Sequence, residues 1–148
     1  MEISKNLEPV LVIRLGKKWK AGEEEIETGY FRQGKGWHPN LTDTELADAV
    51  RAWWKVSPVE LEKRGIEHVV AYADGLTRAL YRIESVLGPR AKDGRVAFQM
   101  TRVEEGELFE AVLGDEGLTV PFRLGSANPI KYWPPRPSLL PQSATGAS

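Results

Sequence analysis

Residues 67–87 constrain the fold of this chain more than any other stretch. Val69-Val70-Ala71-Tyr72-Ala73 is one apolar run, Leu76 to Leu87 is a second strand-like run, and only Asp74-Gly75 separates them. That break predicts a β-hairpin, because the tight turn needs positive φ, which costs Gly nothing and Asp little. On the second strand Leu76, Arg78, Leu80, Arg82 and Glu84 alternate with Thr77, Ala79, Tyr81, Ile83 and Ser85, so neither face is cleanly apolar. A strand of this kind is bordered by other parts of the chain on both faces, as in a small barrel.

Upstream, Val10-Leu11-Val12-Ile13 with Leu15, closed by Gly16, reads as a buried strand. Residues 17–41 have no periodicity and include Gly29, Gly34, Gly36 and Pro39, which reads as a long surface loop with a short strand near Tyr30. Thr42 and Glu45 have capping-box spacing, and Leu46, Val50, Trp53 and Trp54 follow at helical intervals, predicting a helix over about 43–55. Ser57-Pro58-Val59-Glu60 starts a second helix that Gly65 ends, about 58–64.

Beyond the hairpin, Arg95 to Val103 reads as a strand. Residues 104–116 hold six acids and no base, with Leu108, Phe109, Val112 and Leu113 at helical spacing, which predicts a short amphipathic helix with a solvated acidic face. Leu118 to Leu124 is expected to be a strand interrupted by Pro121, Gly125 to Pro129 a turn, and Ile130-Lys131-Tyr132-Trp133 a last strand. The segment 134–148, with Pro134, Pro135, Pro137 and Pro141, is a Pro-rich tail without core-forming capacity. Helices gathered early and strands gathered late predict an α+β domain over residues 1–133, with a small, mostly antiparallel β-barrel and two or three short helices.

Composition narrows the function classes. At 148 residues the chain suits one domain, and the absence of Cys excludes disulfides and thiolate metal sites. Two His, without a nucleophile at a recognised spacing, point to neither a zinc site nor a catalytic pair, so no cofactor is expected; a nuclease or hydrolase using Glu or Asp with a metal stays open as a third reading, ranked last because the carboxylates fall in runs. Met1 to Asn6 lacks a basic region followed by an apolar run, and no stretch nears the roughly 18 apolar residues of a membrane span. A cytoplasmic protein is the expectation. The formal net charge of −1 argues against a uniformly basic coat but leaves local basic patches open.

The pattern resembles the PUA-like superfamily, within it the small modified-base readers of the EVE, YTH and ASCH type. The residues that carry the resemblance are Leu11-Val12-Ile13-Arg14, the hairpin with Tyr72-Ala73-Asp74-Gly75 leading into Ala79-Leu80-Tyr81-Arg82-Ile83, and Asn128-Pro129-Ile130-Lys131-Tyr132, spanning roughly residues 8–133. The resemblance implies a pocket that stacks a flipped base on aromatic rings while basic residues grip phosphate.

Residues of the required types lie in the expected loop. Trp19 and Trp37 are interleaved with Lys17, Lys18, Lys20, Arg32 and Lys35, a basic and aromatic mixture suited to DNA or RNA, although a loop Trp also serves as a plug on the core. Tyr30 or its neighbour Phe31 is a further aromatic candidate, Ser126 and Asn128 offer hydrogen-bonding groups, and Trp133 ends the last strand at a pocket rim or under the tail. Trp53 and Trp54 are assigned to the core. Gly34 and Gly36 lack the Gly-Lys-Ser/Thr element of a phosphate loop, and Asp74 is explained by its turn. These residues predict a nucleic-acid-binding module, recognising a modified or flipped base. The rival is a regulatory subunit that meets a protein partner through the Pro-rich tail and the acidic helix.

Overall fold

The computed structural model describes residues 8–122 and 128–133. Its centre is the hairpin of β4 (His68–Ala73) and β5 (Leu76–Leu87). Asp74 at φ 51° and Gly75 at φ 83° make the two-residue turn, and Ala73 pairs with Leu76 across it. β1 (Val10–Arg14) lies parallel to β4, β7 (Ile130–Trp133) antiparallel to β1, and β6 (Ala97–Val103) antiparallel to β5. The resulting order is β6-β5-β4-β1-β7. The molecule is therefore α+β and mostly antiparallel, but its five-stranded sheet is open among the described residues; the expected barrel closure is not found, because β6 and β7 are edges.

Alternation along the three central strands explains the mixed faces of β5. Leu11, Ile13, Val69, Ala71, Ala79 and Tyr81 point into one core, and Val10, Val12, Val70, Tyr72 and Leu80 into another on the opposite side. The first core is roofed by α1 (Asp43–Arg51) and α2 (Pro58–Arg64), through Leu46, Ala49, Val50 and Leu61. The second is roofed by α3 (Glu107–Leu113) through Val112 and Leu113, together with Val120. α1 carries the expected capping box, with the Glu45 N–H donating to Thr42 Oγ1 at 3.1 Å and the Thr42 N–H to Glu45 Oε1 at 3.0 Å. α2 starts at Pro58 under Ser57 and stops at Gly65 in the left-handed region.

Three sequence expectations are corrected. Residues 17–41 are not one loop: β2 (Lys20–Glu27) and β3 (Tyr30–Lys35) form a separate two-stranded antiparallel sheet. Four Glu and few apolar residues on β2 hid the strand, and the hairpin is held by Ile26 and Tyr30 against Ala52 and Ala97. α1 ends at Arg51, short of the tryptophans, because Trp54 leaves the helix to bridge Val96, with N–H to O distances of 2.9 Å in both directions. Residues 118–122 form no strand; Val120 drops into the second core and the Leu118 N–H donates to Thr77 Oγ1 at 2.9 Å. No described helix is long and apolar enough to cross a membrane.

Candidate functional site

The termination of α1 and the β2–β3 hairpin together create a cleft of about 710 Å³. Its floor is Leu15, Gly16, Ala49 and Ala52, and Trp53 and Trp54 form one wall. Lys18, Lys20, Arg32 and Lys35 come from the hairpin side, and Arg90, Lys92 and Arg95 from the loop between β5 and β6. Seven cations face two carboxylates, Glu24 and Asp93, a surplus of five positive charges in a chain whose net charge is −1. Low-dielectric walls around one sign of charge focus the field into such a cleft.

The cations divide into two groups. Arg32 is 5% exposed and is held by Glu24 at 2.8 Å and by the Ala52 carbonyl, so it braces the hairpin against the end of α1. Arg90 lies over the Trp53 ring at 4.3 Å from its centroid and reaches Asp93 at 2.8 Å. Arg95 is 3.5 Å from Asp93. Lys18, Lys20, Lys35 and Lys92 are exposed and have no ion-pair partner among the described residues. These four are the charges available to a ligand.

Glu24 joins the walls. Burial works against its charged form, but the hydrogen bond and charge of Arg32, the Trp53 indole N–H at 3.1 Å and Arg90 at 3.6 Å outweigh it and hold its carboxyl below the ordinary value. The Arg90 hydrogen bond, with further help from the Arg95 backbone N–H, takes Asp93 down to about 2. Both carboxylates therefore stay ionised and pair with the arginines, which leaves the lysines as the cations without an ion pair among the described residues.

A second cavity of about 620 Å³ adjoins the first, sharing Leu15 and Gly16. Lys17, Trp37 and Tyr72 line it, and Arg78 lies over the Trp37 ring at 4.8 Å. Arg78 is the extra residue where the β4–β5 register shifts between Ala71 and Tyr72, and the bulge aims its side chain across the turn.

Of the residues expected at a site, Lys18, Lys20 and Lys35 converge in the cleft and Lys17 and Trp37 in the second cavity, while Arg32 is used structurally. Trp19 is a plug: its ring fills the space beside Gly34, where a Cβ would lie 2.3 Å from Trp19 Cζ2. Gly36 is needed for the same packing, since a Cβ there would meet the Lys18 carbonyl oxygen at 1.9 Å. Tyr30 donates to the Phe98 carbonyl at 3.1 Å and accepts from Arg51, away from either cavity. Trp133 packs on the second core beside β1, and Asn128 uses its side chain to accept the Ile130 N–H at 3.0 Å, turning the chain into β7. Tyr81, buried in the first core with its hydroxyl pushed up to about 12 by that burial, lines neither cavity. Ser126 and the Pro-rich tail lie outside the described residues.

Sequence reasoning missed Trp53, Trp54, Arg90, Lys92 and Arg95. The tryptophans carried no local signal, since their spacing fits the helix and the partner that draws Trp54 away, Val96, is distant in sequence. For the loop arginines no local signal existed, since their role depends on where β5 and β6 end. Fold and site together define an α+β domain with a basic, tryptophan-walled cleft. Comparison with protein-family models, curated proteins and solved structures finds no match.

Proposed function

We propose that this protein is a nucleic-acid-binding module whose cleft takes an unstacked base against Trp53 and Trp54 while Lys18, Lys20, Lys35 and Lys92 hold phosphate. The observation that carries the reading is the surplus of five positive charges around two tryptophans in a chain of net charge −1. Stacking of a base on an aromatic ring is worth roughly 1–3 kcal/mol, and lysine contacts to phosphate add affinity independent of sequence. The volume lies within the range of small-ligand sites. Kinship with PUA-like base readers, and a modified base as the preferred ligand, extend the same proposal; a sheet covered on both faces and a tryptophan-walled cleft beside its end support them. Since the sheet is open, the kinship is with the mixed arrangement of helices and strands and not with a closed barrel.

The test is fluorescence anisotropy with single-stranded DNA and RNA, unmodified and carrying common modified bases, over a range of salt. Replacing Lys18, Lys20, Lys35 and Lys92 together by Gln is expected to lower the magnitude of the log K against log salt slope by about 3, at about 0.7 per single-strand phosphate contact. These exposed lysines have no ion pair among the described residues, so the substitutions leave the fold intact. Salt-independent binding, or an unchanged slope in the variant, overturns the proposal.

A further inference from the structure

We infer that the ligand is a single strand of at least two consecutive nucleotides, bound with one base in each cavity and its phosphodiester crossing at Gly16. The inference rests on the nucleic-acid reading above and specifies what that site takes. Its basis is a repetition of parts. The 710 Å³ cleft has Trp53 with Arg90 over its face at 4.3 Å and Lys18 at the edge; the 620 Å³ cavity has Trp37 with Arg78 over its face at 4.8 Å and Lys17 at the edge. Each indole thus already accepts a planar partner at stacking distance, and a guanidinium and a base compete for the same kind of surface.

The junction favours one continuous ligand over two separate ones. Leu15 and Gly16 line both cavities, and they sit at the end of β1, where the chain leaves the sheet. A Cβ built on Gly16 meets nothing within 4 Å, so the passage above it is open. Lys17 faces one side of that passage and Lys18 the other, which places a cation on each flank of a crossing phosphate. Asp74 at the far rim of the second cavity adds one carboxylate there, so the phosphate is expected at the junction rather than beyond the Trp37 ring. A duplex does not fit this arrangement, because its bases are stacked on one another and only unstacked bases present free faces to indole rings.

The experiment compares thymidine 5′-monophosphate with the dinucleotide and pentanucleotide of thymidylate, and the uridylate series in parallel, by anisotropy and quenching of tryptophan fluorescence. The dinucleotide is expected to bind about tenfold tighter than the monophosphate, the gain of one added stacked base. Gly16→Phe fills open space at a residue without positive φ, so the fold is kept; it is expected to remove the gain on lengthening, so that dinucleotide and monophosphate bind the variant alike. Trp37→Ala is expected to do the same. A dinucleotide that binds no tighter than the monophosphate, or a gain that survives both substitutions, overturns the inference and leaves the nucleic-acid reading standing. Absence of salt-dependent binding to every probe overturns that reading and the inference with it.

Discussion

On one side of the sheet a cleft gathers seven cations against two carboxylates, whereas the segment that roofs the other side, residues 104–116, holds six acids and no base. The two roofs also differ in how they are built. The basic side rests on sixteen buried residues among those described, with α1 fixed by a capping box; the acidic side rests on eight, and α3 begins at Gly106 without a side-chain cap. A net charge of −1 thus conceals a locally basic cleft and a locally acidic helical segment. A polyanion approaching it is repelled from the α3 side and drawn to the cleft, so orientation comes from long-range charge before any contact is made. The better-anchored side is the one that carries the candidate site, and a preorganised wall loses less on binding than one that must first be ordered.

The difference in anchoring can be broken by paired truncations. Phe98 on β6 and Val112 on α3 are both fully buried, one in each core. Phe98→Ala is expected to cost about 3–5 kcal/mol and Val112→Ala about 2 kcal/mol, from the atoms removed and the cavity left. Urea unfolding of both variants, each cost read as the excess over the transfer free energy of the atoms removed, tests the anchoring, and an equal excess would remove the claim that the basic side is the stronger. Arg32 tests the same side at its rim. Arg32→Ala leaves the Ala52 carbonyl without its donor and Glu24 without its main partner, which is expected to cost about 2–3 kcal/mol given that Glu24 is partly solvated. If Arg32→Ala instead leaves the unfolding midpoint in place and weakens nucleic-acid binding, Arg32 belongs with the lysines and its bracing role is wrong.

Elements with strong local signals were legible in the sequence. The Asp74-Gly75 hairpin, the Thr42 cap, the Ser57-Pro58 start and the Gly65 stop each encode their structure within four or five residues, and each is found at its expected place. Failure came where the deciding contact is distant. β2 reads as a charged loop because Glu23, Glu25 and Glu27 face water, and it is a strand because Ile26 has Ala52 and Ala97 to pack on and Glu24 pairs with Arg32. The α1 helix was extended through Trp53 and Trp54 because their spacing fits a helix, yet pairing with Val96, more than forty residues on, wins. The site followed the same rule. Its lysines in 17–35 were visible as a basic cluster, whereas the wall they face is assembled from three separate segments and Trp19, the most obvious aromatic, is consumed in holding the hairpin down on Gly34.

The smallest expected effect is also the one that separates the cleft wall from ordinary surface charge. Asp93 is depressed to about 2 by Arg90, while an unfolded chain returns it to about 3.9. Between those values the unfolded state binds more protons than the folded one, so stability rises with pH across the window: the contribution is complete above about pH 5 and is lost as pH falls towards 2. Glu24, lowered by the same loop and by Arg32, works in the same direction. Because Asp93 is exposed, salt screens its ion pairs and the effect on the urea midpoint is slight. Asp93→Asn should therefore shift the midpoint near neutrality and converge with the parent protein near pH 2, with the gap shrinking in high salt. The carboxyl carbon shift of Asp93, followed by NMR, gives the direct reading. Titration at the ordinary carboxylate value would mean that the Arg90–Asp93 pair does not hold the loop, and that only Glu24, at 3.6 Å, keeps Arg90 on the face of Trp53.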